Sequence, residues 1–113
     1  LFLIRADGYG WLKNSSWAHG SDRALKENII DSDRGLQDIL AMRPVKFDYI
    51  EGAKNNYGFI AQELREIVPE VVTEPDSAVD YLGTKTGDLI PILVKAIQEL
   101  NQQVENLEAQ IIA

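Results

Sequence analysis

Ser21 and Lys26 lie five positions apart, directly after Gly20, in the stretch Gly20-Ser21-Asp22-Arg23-Ala24-Leu25-Lys26-Glu27-Asn28. A serine hydroxyl is a weak nucleophile until a base takes its proton, and a lysine can be that base as the free amine. The pair could therefore do acyl transfer on a nearby carbonyl. Gly20 would allow close backbone approach and unusual dihedral angles. The spacing restricts the frame. On a helix, positions five apart point about 140° away from each other, and on a strand they face opposite sides. A turn or bulge between them is required, or a Lys26 supplied by another subunit. Asp22 and Glu27 would hold a proton on the lysine, so a working site must turn them away; Arg23 is a candidate to pair with one of them. His19 and Asn28 are candidate oxyanion donors, although His19 reads first as a plain solvated residue. The plain alternative is that Ser21 and Lys26 are ordinary surface residues.

The elements that must position this stretch belong to a small chain. Its 113 residues suffice for one small domain, and 45% hydrophobic content permits a modest core. Oligomerisation often completes burial at this size. A net charge of -7 argues against nucleic acid, whose affinity rests on clustered Lys and Arg. With no Cys and one His there is no disulfide framework, thiol nucleophile or multi-His metal site, and no cofactor is expected. No apolar run approaches the roughly 20 residues that span a bilayer. The opening Leu-Phe-Leu-Ile-Arg has neither Met nor a signal-peptide layout, and the chain reads as the C-terminal piece of a longer protein.

In chain order, Leu1 to Arg5 and Tyr9 to Leu12 predict a hairpin around Asp7-Gly8, followed by a loop at Asn14-Ser15-Ser16. Tyr9, Trp11 and Trp17 read as core or interface aromatics, or as a glycan platform. Ser32 or Asp33 is expected to N-cap a helix reaching about Met42, with Leu36, Ile39 and Leu40 inward and Arg43-Pro44 as its stop. Val45, Phe47 and Tyr49 alternate as a half-buried strand, with Tyr57 to Ile60 as its partner. Ala61 to Val68 predicts a second helix, with Leu64, Ile67 and Val68 inward. Val71 to Thr73 and Val79 to Leu82 predict a hairpin, and Asp88 a helix cap.

The last segment has the clearest periodicity. Ile90, Leu93, Ile97, Leu100, Val104, Leu107 and Ile111 are spaced alternately by three and four, which is a heptad seam. Pro91 falls in the first turn, where its missing N–H costs nothing. Ile or Val at a and Leu at d favours dimers in isolated parallel coils. The alternative is an amphipathic helix packed on its own domain. The fold class is α+β: short helices and β-hairpins, then a long C-terminal helix.

Several motifs, taken in order, resemble one family. They are Ser-Asp-x-x-Leu-Lys at Ser21 to Lys26, the helix closed by Arg43-Pro44, the strand Val45 to Tyr49, and Tyr57-Gly58-Phe59-Ile60-Ala61-Gln62-Glu63-Leu64. Val68-Pro69-Glu70-Val71-Val72, Val79-Asp80-Tyr81 and the run Leu89 to Leu100 complete the set. The chain resembles the C-terminal intramolecular chaperone, or endosialidase-type autoprocessing domain, of phage tailspikes, tail fibres and neck appendages; a related domain occurs in the myelin regulatory factors. The resemblance implies a homotrimer with a coiled coil over residues 88–113, which overrides the dimer preference of the seam. It implies that residues 21–113 help an upstream β-rich fibre of the same chain to fold, residues 1–20 being the end of that fibre. The domain would then cut itself off between Gly20 and Ser21, with Ser21 as nucleophile and Lys26 as general base; Asp22 and Leu25 also match the motif, and for them only positioning can be argued. It would be made as a virion precursor in the host cytoplasm, and the released fragment would be absent from the mature fibre. The competing reading is a non-enzymatic trimerisation or attachment module. A Ser/Lys protease acting on other proteins is a weaker third, since nothing suggests a substrate groove.

Overall fold

A computed structural model describes residues 2–6, 8–13 and 17–112. The expectations for Leu1, Asp7, Asn14-Ser15-Ser16 and Ala113 lie outside the described residues. The chain divides into two compact units, Leu1–Asp31 with Ile50–Gly52, and Ser32–Tyr49 with Ala53–Ala113. Among the described residues the architecture is α+β, with three two-stranded antiparallel hairpins, two short helices and a long C-terminal helix.

In the first unit, β1 (Phe2–Ile4) pairs with β2 (Gly10–Leu12), Leu3 opposite Trp11. The connection closes through Arg5 N–H to Tyr9 O and Gly8 N–H to Arg5 O. Gly8 has φ +91°, a conformation that a residue without Cβ adopts at no steric cost. Tyr9, Trp11 and Trp17 are exposed. A single 3-10 turn follows at Arg23–Leu25.

The second unit contains the core. Helix α1 spans Leu36–Ala41, and its first turn is not capped by Ser32 or Asp33. The Ser32 hydroxyl instead closes a local turn with the backbone of Arg34. Gly35 becomes the cap position, its N–H bonded to Asp38 Oδ2 at 3.0 Å, and Leu36 N–H donates to Glu99 Oε1 at 3.0 Å. Leu36 and Ile39 are half-buried, whereas Leu40, expected on the same face, is 74% exposed. The chain is extended again at Met42, ahead of Arg43-Pro44, as the restriction before proline favours.

Strand β3 (Val45–Phe47) pairs with β4 (Asn56–Gly58), Val45 opposite Gly58. Tyr49 lies beyond the ladder and is exposed, so the inward alternation stops at Phe47. Helix α2 is Ala61–Arg65, shorter than the expected reach to Val68; a second 3-10 turn, Pro69–Val71, follows. Strand β5 (Val72–Thr73) pairs with β6 (Gly83–Thr84), not with Val79 to Leu82. Asp76 is the reason. Its carboxylate accepts from Ala78 N–H at 2.8 Å and Val79 N–H at 3.0 Å, which draws Val79 into the turn. Asp88 sits in a 3-10 turn, Thr86–Asp88, and its carboxylate faces Lys85 at 3.6 Å and does not cap the next helix.

Helix α3 runs 24 residues, Leu89–Ile112. Its first turns bury Leu89, Ile92 and Ala96. Leu89 and Ile92 join Leu64, Val68, Val71 and Val72 in the core, with Ile39, Met42, Phe59, Ile67 and Leu82 around it. All seven seam residues stay exposed, from 43% at Val104 to 83% at Ile111. The helix therefore packs on its own domain with one face and leaves the heptad face uncovered. No described helix is long and apolar enough to cross a membrane.

Candidate functional site

The backbone arrives at Asp22 extended (φ -64°, ψ 140°), makes the Arg23–Leu25 turn, and leaves at Lys26 extended again (φ -124°, ψ 149°). Three hydrogen bonds hold this turn: Leu25 N–H to Asp22 O at 3.0 Å, Lys26 N–H to Arg23 O at 3.0 Å, and Ala24 N–H to Asp22 Oδ1 at 2.9 Å. None of its residues is buried, so hydrogen bonding, not packing, defines it. The turn reverses the outward divergence that a regular element would impose on positions five apart. As a result Lys26 Nζ donates to Ser21 Oγ at 2.7 Å within the same chain.

The electrostatic surroundings differ in part from those expected. Asp22 does turn its carboxylate away, but onto the Ala24 amide and not onto Arg23. Among the described residues Arg23 forms no ion pair with Asp22 or Glu27, and Lys26 forms none either. Ser21 and Lys26 are both exposed, so in the single chain water still reaches the amine. Among the described residues no hydrogen bond joins His19 or Asn28 to the pair. Asn28 has φ 55°, a left-handed conformation that Asn tolerates, and it marks where the chain turns after Lys26.

Two neighbours escaped the sequence reading. A Cβ at Gly20 would lie 3.4 Å from Leu25 Cδ1, so the turn that presents Lys26 to Ser21 also places Leu25 beside Gly20. The capping bond of Asp22 was missed as well, although Asp is among the preferred N-cap residues and stands directly before the turn.

No group of three or more His, Cys, Asp or Glu among the described residues could hold a metal ion. What the arrangement can do is bring an amine, a hydroxyl and the Gly20–Ser21 peptide bond together at one exposed turn.

Residues 21–73 match the family described as the chaperone of endosialidase, the family that the order of motifs resembles, and the match begins at Ser21. Two similar proteins are the long tail fiber proteins Gp37 of Enterobacteria phages K3 and T2. Each is 30% identical over 98 residues, covering 80% of this chain but only 8% and 7% of the fibre proteins. The same-named protein of Enterobacteria phage M1 is 26% identical over 99 residues, which is 39% of its length. The chain thus spans well under half the length of these relatives.

Proposed function

We propose that this chain is an intramolecular chaperone of a phage tail fibre that trimerises through α3 and then cuts itself between Gly20 and Ser21. The family match and the fibre relatives support the chaperone role. The observation that carries the cutting is the 2.7 Å bond between Lys26 Nζ and Ser21 Oγ. In the reaction Lys26, as the free amine, takes the Oγ proton and Oγ attacks the Gly20 carbonyl carbon. The C–N bond to Ser21 breaks and the proton passes to the Ser21 nitrogen. This leaves Gly20 esterified to Ser21 Oγ. Water then hydrolyses the ester to a Gly20 carboxylate and a free Ser21 hydroxyl. A copy of the chain or its fibre lying over the exposed pair would strip water from the amine and make cutting conditional on assembly.

The chaperone role has its own physical logic. Intertwined β fibres depend on non-local contacts that form slowly and expose aggregating intermediates. A helical seam holds three chains in register and raises their effective concentration. Its removal leaves a trimer whose persistence is kinetic. The precursor would form in the host cytoplasm, and residues 21–113 would leave the mature fibre, with residues 1–20 as its end.

Ser21→Ala and Lys26→Ala should each abolish a fragment that starts at residue 21, read by N-terminal sequencing. Because the bond lies within one chain, mixing the two variants should not restore cutting; a fragment starting at residue 21 in either single variant would refute the assignment. The exposure of Lys26 favours a second reading, a non-enzymatic trimerisation and attachment module. The intact mass of the purified wild-type chain separates the two.

A further inference from the structure

Lys26 is the last residue of the five-residue segment from Asp22 to Lys26, none of which is buried. A flexible lysine on an unsupported turn would sample many positions, and each rotatable side chain resists being fixed by entropy. The direction from which Lys26 leaves the backbone is set by the Arg23–Leu25 turn. Two of its three hydrogen bonds are backbone bonds that any sequence could make. The third, Ala24 N–H to Asp22 Oδ1, belongs to one side chain. Asp22 is also the residue that follows Ser21 directly, so the same backbone unit orients the nucleophile and, through its carboxylate, the turn that brings the base.

We propose that Asp22 is the positioning residue of the self-cleaving site, acting as the cap of the turn and not through its charge. This rests on the self-cleavage reading above. The cap oxygen satisfies the Ala24 amide, selects the 3-10 turn over an extended path, and so holds Lys26 Nζ at Ser21 Oγ. The negative charge contributes nothing useful, since a carboxylate near the base favours its ammonium.

The consequence is a ranking of side chains that separates capping from charge. Asn and Ser keep an oxygen in the capping position without the charge. Glu keeps the charge but is a poor cap, and Ala keeps neither. The test measures the rate at which the 113-residue chain yields a fragment starting at Ser21, for Asp22→Asn, Asp22→Ser, Asp22→Ala and Asp22→Glu. Asn and Ser should cut within about twofold of the parent, and Ala and Glu should cut about fivefold more slowly, the size of a lost N-cap. Ala at the parental rate, or Glu fast and Asn slow, overturns the proposal.

A second readout does not depend on cutting. The Lys26 Nζ resonance reports its contact with Ser21 Oγ in the uncut chain. It should be the same in the parent and Asp22→Asn, and shift toward that of a free lysine in Asp22→Ala, with faster exchange of the Ala24 amide. If the parent does not cut, the self-cleavage reading falls while these resonances still decide the positioning role. An unshifted Lys26 resonance in Asp22→Ala refutes it.

Discussion

Glu99 illustrates how much one side chain decides in this domain. From α3 its carboxylate accepts from Leu36 N–H at 3.0 Å, and so caps a helix 63 residues away in sequence. The approach is possible because position 35 is glycine: a Cβ there would collide with Glu99 Oε1 and press Lys95 Cγ at 3.2 Å. Glutamate can swing aside, but only by releasing the Leu36 amide. Gly35→Ala should therefore destabilise the fold by about 1 kcal/mol, the worth of a cap. The same substitution in a Glu99→Ala background should cost clearly less, because the two effects share one bond. Urea unfolding of the four chains measures both. Equal costs in the two backgrounds would mean that Glu99 and Gly35 act independently. Ser21 and Lys26 stand at the same scale, a pair defined by one hydrogen bond on one turn.

At the scale of elements, α3 has two apolar faces with different fates. Leu89, Ile92 and Ala96 are buried in the domain, while Ile90, Leu93, Ile97 and Leu100 continue outward into the exposed stretch through Val104, Leu107 and Ile111. Seven apolar side chains in a continuous heptad stripe are far more than scattered surface hydrophobics. In the proposed trimer they would form the seam. Replacing Ile97 and Leu100 together by Asp should abolish self-association in sedimentation velocity and leave the fold intact, since neither residue is in the core. If the double variant still assembles, α3 is not the trimer seam. The α3 periodicity was legible because one face repeats without interruption. The pairing of β5 with Gly83–Thr84 was not, because the Asp76 turn consumes Val79 and a two-residue strand leaves no pattern to count.

At the scale of the whole molecule, ion pairs join segments that are distant in sequence. Arg34, ahead of α1, holds Glu70, after α2, through Nε at 2.6 Å, and also reaches Asp38 at 3.0 Å. The Arg34 hydrogen bond, and then a backbone bond, hold the Glu70 carboxyl below its usual 4.5, against burial and the Asp38 charge. The Arg43 hydrogen bond lowers Glu63 in the same way. Because the folded values are depressed, the stability these pairs contribute is present above pH 4.5. It is lost as pH falls through the lowered folded values. Both pairs face water, so the contribution is screened and small. Urea midpoints should fall on acidification below about pH 4.5, and less steeply in Arg34→Gln. An identical pH dependence in that variant would exclude the Arg34–Glu70 pair as a source of acid sensitivity.

The sequence by itself determined the α+β class, the stop at Arg43-Pro44, the heptad face of α3 and that no regular helix or strand could bring Ser21 and Lys26 together. Each follows from local rules: periodicity, the geometry before proline, and the angles between side chains on regular elements. Only the tertiary structure decided which side chain caps α1, because Glu99 reaches it across 63 residues. Only it showed that Ser21 and Lys26 meet within one chain, and that α3 spends Leu89, Ile92 and Ala96 on the core while keeping its seam free. These outcomes depend on where distant or freely rotating groups come to rest, and no pattern along the chain carries that information.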